Sequence, residues 1–158
     1  MIDIVHIHPM VVHFPIVLFL VAMVAQFLTL IRGGDLTERA CLPSVGLGAL
    51  ILGAAGALVA ATFGDIALDH ALDLGFPKGP LETHKVFGLI TTCLFVSLAL
   101  LQGLAWRWTI PLKAARGWGL FLAGIVGCAI LLLTAYHGGN LVYKIGVNVA
   151  VVKPAVNH

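Results

Sequence analysis

Residues 14–31 read FPIVLFLVAMVAQFLTLI, an apolar run without a charged side chain. A helix of about 20 such residues spans the hydrocarbon core of a bilayer, which is about 30 Å thick. Three similar runs follow, and the predicted helices cover about residues 10–32, 43–64, 84–106 and 117–137. Because these runs lack the in/out alternation of a membrane β-strand, the chain is predicted to be all-α, an integral membrane four-helix bundle.

The overall composition supports a membrane environment. Of the 158 residues, 60% are hydrophobic and 10% are charged, against about 45–50% and about 25% in soluble domains. A soluble domain of this size could not bury so much apolar surface. Residues 1–158 are therefore predicted to form a single transmembrane domain. The net charge of +2 and the absence of a basic cluster argue against a nucleic-acid partner.

Charged residues near the helix ends predict the orientation. The loops after the first and third runs carry Arg32, Arg39, Arg107, Lys113 and Arg116, whereas the opposite side carries Lys78, Lys85, Lys144 and Lys153. Since cytoplasmic loops are enriched in Lys and Arg, we expect the arginine-bearing loops in the cytoplasm and both termini outside. Trp106, Trp108 and Trp118 would form an aromatic belt at the cytoplasmic interface.

Two rows of small residues predict tight packing between helices. Ala49, Gly53, Ala57 and Ala61 follow each other at i, i+4 spacing in the second run, and Gly119, Ala123 and Gly127 form a row in the fourth. Small side chains let helix backbones approach closely in lipid. The polar candidates for a transport pathway are Gln26, Thr91, Thr92 and Ser97, too few to favour a transporter.

All seven histidines are predicted to lie at the outer end of the bundle. His6, His8 and His13 precede or begin the first helix, His70 lies in a predicted loop over 65–82, His84 opens the third helix, His137 closes the fourth, and His158 is in the tail. Ionisable groups at membrane depth are costly and usually functional. The histidines at helix ends are therefore predicted to form a ligand site, whereas His70 and His158 are predicted to be solvated.

The local sequence around these histidines predicts how the helices begin and end. Pro9 suits a first helical position, and Pro15 removes one helical hydrogen bond and bends the first turns. Gly138 and Gly139 are predicted to end the fourth helix by taking positive φ. Residues 138–158 would then form an interfacial C-terminal segment, whose apolar part 141–147 covers the histidines.

Three features stand out at the helix ends: His8-Pro9-x3-His13-Phe14-Pro15, His84, and Gly138-Gly139-x-Leu141-Val142-Tyr143-x2-Gly146-Val147. Together they resemble the DUF2231 family of bacterial membrane proteins. The resemblance covers nearly the whole chain and implies a four-helix protein of the bacterial inner (cytoplasmic) membrane. The histidines that it matches are His8, His13, His84 and His137. It implies no particular reaction.

Two cofactor classes fit such histidines. Haem b takes two axial histidines from facing helices, which His13 could supply with His84 or His137, while Lys85 or Lys144 would reach the propionates. A bare copper or zinc ion would need about three of these histidines, His8 included, with Asp3, Asp65 or Asp69 as further ligands. A third interpretation is an accessory subunit of a respiratory or other membrane complex, with no cofactor of its own.

The leading prediction is a membrane b-type cytochrome. Its partners would be a quinol, a periplasmic cytochrome or a membrane redox complex, and a homo-oligomer is compatible with the sequence. The chain contains no GxSxG, HExxH, P-loop or dinucleotide-binding motif. An electron-transfer or accessory role is therefore favoured over a stand-alone enzyme.

Overall fold

The computed structural model describes residues 4–149, which are helical apart from short connections. After a 3-10 turn at Ile4–His6, the helices are α1 (Ile7–Val11), α2 (His13–Ile31), α3 (Cys41–Asp73), α4 (Lys78–Arg107) and α5 (Ala114–Asn140), and a π-helical turn at Leu141–Ile145 prolongs α5. With α1 and α2 counted as one span, four helices are long and apolar enough to cross a membrane. The prediction of an all-α, four-helix membrane protein is confirmed.

The helices form a closed antiparallel ring. Each long helix packs on the next one in the chain, and α5 returns to pack on α2. At one end, the loop after α2 is hydrogen-bonded to the loop after α4, where Leu36 N donates to Leu112 O over 3.0 Å. The two arginine-bearing loops therefore lie together, and the histidine-bearing helix ends lie at the opposite end of the bundle.

Pro15 interrupts the hydrogen bonding of the first span, while the backbone at Val12 keeps helical angles. Pro15 lacks a backbone N–H, so the carbonyl of Val11 loses its helical partner. The structure accordingly divides this span into α1 and α2 at Val12. This division separates His8, on α1, from His13, the first residue of α2.

Several predicted helix ends were wrong. α3 continues to Asp73, so His70 lies on this helix, and the connection to α4 is only residues 74–77. The extension is stable because Ala71 is buried against Leu81 and Leu141 in a small second core. α5 likewise runs through Gly138 and Gly139, neither of which has positive φ. The C-terminal segment thus begins as a helical continuation, while His158 and the rest of 150–158 lie outside the described residues.

Close helix contacts in the core are made at glycines. A Cβ added to Gly53 would lie 2.8 Å from the ring of Phe19, and one added to Gly127 would lie 3.0 Å from the ring of Phe95. In the predicted small-residue row on α3, Ala49, Gly53 and Ala57 are buried, whereas Ala61 is half-buried. The prediction of a packed row on α5 was only partly right, because a Cβ added to Gly119 would have no neighbour within 4 Å. Gly117, Gly124 and Gly138 also make close approaches on this helix.

Candidate functional site

Two of the predicted ligands, His8 and His84, meet at the end of the bundle opposite the arginine-bearing loops. Their ring centroids are 6.2 Å apart, and the ring planes are inclined by 82°. His8 is supplied by α1 and His84 by the second turn of α4, and both side chains are half-buried. The two imidazoles thus approach each other from opposite corners of the four-helix ring.

The backbone fixes the proton on each of these rings. His8 Nδ1 lies 2.8 Å from the carbonyl oxygen of Ala60 on α3. His84 Nδ1 lies 3.1 Å from the carbonyl oxygen of Thr134 on α5. Because a carbonyl oxygen only accepts, each Nδ1 must be the donor, and each neutral imidazole keeps its lone pair on Nε2. Histidines that bind metals show this arrangement, with one nitrogen donating to a carbonyl and the other free to coordinate.

A glycine makes room for each ring. A Cβ added to Gly64 would lie 3.0 Å from His8 Cε1, and one added to Gly138 would lie 2.9 Å from His84 Cε1. Each imidazole therefore lies directly against the backbone of the neighbouring helix. Gly138 is needed for this close approach, and the prediction that it ends the helix misread its role.

The other two predicted ligands are placed differently. His137 stacks on Phe87 with ring centroids 5.1 Å apart and planes 11° apart. It lines a groove of about 350 Å³ together with Pro80, Thr83, Asn140, Lys144 and Ile145. His13 is exposed and joins neither the hydrogen bonds nor the ring contacts described above. The structure therefore pairs His8 with His84 and does not bring His13 to them.

An ion pair lies beside the paired histidines. Lys85 Nζ is 2.9 Å from Asp65 Oδ1 and links α4 to α3. Both side chains are about half exposed, so the pair contributes little to stability. It nevertheless gives Lys85 a protein partner in place of the propionate predicted for it.

The described residues do not form a larger ligand group. Within residues 4–149, no three His, Cys, Asp or Glu side chains are arranged to hold a metal ion. Asp3, one of the carboxylates considered for a copper or zinc site, lies outside this range. The donor set that the structure shows is the pair of imidazoles.

Sequence reasoning missed one buried polar residue, Gln102. Gln26 Nε2 donates to Gln102 Oε1 over 2.9 Å, and Gln102 Nε2 donates to the carbonyl oxygen of Leu36 over 3.1 Å. Both glutamines are at most 1% exposed. The signal was visible in the sequence, since Gln102 interrupts the third apolar run as Gln26 interrupts the first.

The fold and the site together define an integral membrane protein with a paired-histidine site between its helices. The chain belongs to the DUF2231 family, whose description is "predicted membrane protein", and the match covers residues 5–151. The family resemblance seen in the sequence is thereby confirmed. No curated protein and no solved structure matches the chain.

Proposed function

We propose that this protein is a b-type cytochrome of the membrane, which binds haem between histidines at the outer end of the bundle. The observation that carries the proposal is the His8–His84 pair, in which each Nδ1 donates to a backbone carbonyl and each Nε2 keeps its lone pair. Bound haem would supply reversible one-electron transfer. The histidines, the carbonyls and the glycines of the chain would bind and orient it.

The number of ligands favours haem over a bare ion. Haem iron needs only two axial ligands from the protein, because the macrocycle provides the others. A structural zinc site takes four ligands and a catalytic one takes three from the protein. The described residues bring together two imidazoles and no group of three donors, which is the set that haem requires.

The spacing of the rings is also suitable. Metal–nitrogen bonds to imidazole are about 2.0 Å long. Two such bonds in line, together with the radii of two imidazole rings, give a centroid separation close to the 6.2 Å between His8 and His84. The centroid separation is therefore in the range expected for two imidazoles that share one ion.

The supporting residues would keep the ligands in place. The carbonyls of Ala60 and Thr134 fix the tautomers of His8 and His84. Outer partners of this kind orient a ligand and raise its basicity. Gly64 and Gly138 allow the rings to lie against α3 and α5.

The proposal includes a location and partners. The arginine-bearing loops would face the cytoplasm of a bacterial cell, and the paired histidines would lie at the periplasmic side of the inner membrane. At that depth a quinol in the membrane, a periplasmic cytochrome or a neighbouring redox subunit can exchange electrons with the site.

The test is the absorbance spectrum of protein purified in detergent from haem-replete cells. We expect a b-type spectrum that changes on dithionite reduction, in the wild type and in His70→Ala, whose histidine is exposed on α3. The double variant His8→Ala/His84→Ala should lose it while eluting as the wild type does on gel filtration. A colourless wild type would overturn the proposal, and stoichiometric copper or zinc in that protein would support the bare-metal alternative.

A further inference from the structure

We infer that the chain is a tandem duplication of one helical hairpin, and that His8 and His84 are the equivalent pair of ligands on the pseudo-twofold axis relating the two copies. The assignment of ligands rests on the proposed function, whereas the duplication stands on the structure. The duplication selects His8 and His84 from the seven histidines and excludes His13 and His137 as ligands of the iron.

The first observation is a set of three diagonal pairs. Phe19 stacks on Phe95 with centroids 3.7 Å apart, Gln26 is hydrogen-bonded to Gln102, and the ring of His8 faces that of His84. In every pair the two residues are identical and 76 positions apart. Residues that meet their own equivalents at successive depths of a bundle mark a twofold axis between them.

The sequence around these pairs repeats. The pattern His-x9-Leu-Phe-x6-Gln-x-Leu-x7-Leu begins at His8 and ends at Leu36, and it begins again at His84 and ends at Leu112. Leu36 and Leu112 are themselves joined by a backbone hydrogen bond of 3.0 Å. The first helix of each hairpin and the start of the following loop are therefore equivalent.

The second helices repeat as well. The pattern Ala-x-Ile-x-Gly-x-Ala-x2-Leu-x2-Ala-x2-Gly runs from Ala49 to Gly64 and again from Ala123 to Gly138, 74 positions later. The central glycine of each copy makes the same contacts. Gly53 packs against Phe19 and Leu18, and Gly127 packs against Phe95 and Leu94.

The supports of the two histidines are equivalent in the same way. His8 lies against Gly64 and donates to the carbonyl four residues before it, that of Ala60. His84 lies against Gly138 and donates to the carbonyl four residues before it, that of Thr134. Each hairpin thus contains one histidine that donates to a backbone carbonyl and lies against a glycine four residues after that carbonyl.

The equivalence of the two hairpins distinguishes the proposed ligands from the other histidines nearby. At the same offsets, the counterpart of His13 is Leu89 and the counterpart of His137 is Phe63, and neither can coordinate a metal. Among the histidines of residues 4–149, only His8 and His84 offer equivalent nitrogens to a ligand centred on the axis. The class of ligand is therefore one that takes two equivalent axial imidazoles, with one haem per chain.

Single substitutions test the ligand assignment in the intact protein. We expect His8→Ala and His84→Ala each to lose the six-coordinate, low-spin spectrum, whereas His13→Ala and His137→Ala keep it. His8→Met and His84→Met should retain haem with a raised potential, because a Met ligand raises the potential. A wild type that binds haem, with either His8→Ala or His84→Ala unchanged in spectrum, would overturn this assignment and leave the proposed function intact.

The duplication has a separate readout that needs no haem. Gly64→Ala and Gly138→Ala place a methyl against equivalent rings, so the two variants should lower the melting temperature in detergent by similar amounts. Gly139→Ala is the matched control, since nothing lies within 4 Å of a Cβ there, and it should melt no lower than the wild type does, because alanine favours a helix more than glycine does. A fall in only one of the first two variants would contradict the equivalence of the hairpins.

Discussion

Gln26 and Gln102 are joined by a hydrogen bond through the interior of the bundle, with Nε2 of Gln26 donating to Oε1 of Gln102 over 2.9 Å. The amide of Gln102 also donates to the carbonyl of Leu36, which lies in the loop after α2. This second bond fixes the orientation of the Gln102 amide. The pair therefore connects α2, α4 and one loop at a depth where water is excluded.

Removing one glutamine should destabilise the bundle more than removing both. Gln102→Leu leaves the buried amide of Gln26 and the carbonyl of Leu36 without their partner, and a polar contact of this kind between membrane helices contributes about 1–2 kcal/mol. Gln26→Leu/Gln102→Leu no longer buries an unpaired side-chain amide and should recover part of that loss. Unfolding in detergent measures the difference, with Ser97→Ala, an exposed residue bonded to its own helix, as control. A double variant less stable than Gln102→Leu would refute this account.

The core glycines should be sensitive to a single methyl group. Gly53→Ala and Gly127→Ala force a Cβ to within about 3 Å of Phe19 and Phe95, and overpacking of this kind costs about 1–3 kcal/mol. Gly48→Ala and Gly103→Ala add the same methyl group at positions where a Cβ would have no neighbour within 4 Å. They should gain up to about 1 kcal/mol from helix propensity. The melting temperatures of the four variants compare the packed glycines with the open ones. Equal shifts in melting temperature would show that packing at Gly53 and Gly127 is looser than described.

The spans could be predicted from local sequence, whereas the pairing of the histidines was signalled only by the internal repeat that makes His84 equivalent to His8. Length and apolarity determine a membrane helix by themselves, so the four spans could be predicted. The end of α3 depends on Ala71 meeting Leu81 and Leu141 across a turn, which no local pattern contains. The pairing of His84 likewise depends on which side chain faces it from the helix on the opposite side of the bundle. His8 and His13 are five residues apart and therefore lie on different faces of the helix, and the structure places His8 opposite His84.

Asp35 connects the two arginine-bearing loops. Its Oδ1 accepts hydrogen bonds from Thr37 N at 2.9 Å, Thr37 Oγ1 at 2.7 Å and Leu112 N at 2.9 Å. Burial alone would raise the pKa of this carboxyl, but the hydrogen bonds and the charge of Lys113 outweigh burial and lower it. The ionised carboxylate of Asp35 therefore stabilises the folded protein.

The pH dependence follows from that lowered pKa. Stability from Asp35 is fully present above the unfolded pKa of about 3.9, and it is lost as the pH falls through the lower folded pKa. Asp35→Asn should therefore be less stable than the wild type at neutral pH, with a difference that shrinks in strong acid. Melting in detergent from pH 7 down to pH 2 follows the difference, with Glu38→Gln, an exposed neighbour, as control. A difference independent of pH would exclude the carboxylate as its source.

Cys41 reports the orientation of the bundle. It begins α3 beside the arginine-bearing loops and is exposed. In Cys93→Ala/Cys128→Ala cells, a membrane-impermeant maleimide should label it only after permeabilisation, because we place that end in the cytoplasm. Asp73→Cys, at the other end of α3 and combined with Cys41→Ser, should be labelled on intact spheroplasts. The opposite pattern would invert the orientation.

The described histidines lie at one end of the bundle, and in the proposed cytochrome this would limit where electrons can go. Within residues 4–149, His6, His8, His13, His70, His84 and His137 are all at the end opposite the arginine-bearing loops. Met23, the methionine deepest in the first span, is buried beside Gly124 in the interior. Electron transfer through about 30 Å of hydrocarbon needs cofactors near both faces, and the described residues offer ligands near one.

We therefore expect the proposed haem to exchange electrons at the outer side or within the membrane, without carrying them across the bilayer. Purified protein in liposomes, with reductant trapped inside and an impermeant oxidant outside, should show no oxidant reduction above that of vesicles carrying His8→Ala/His84→Ala protein. Adding a lipophilic quinone supplies the missing carrier and should start transfer in the wild-type vesicles. Haem-dependent reduction of the outer oxidant without quinone would contradict this prediction, because it would require a second cofactor site near the arginine-bearing loops.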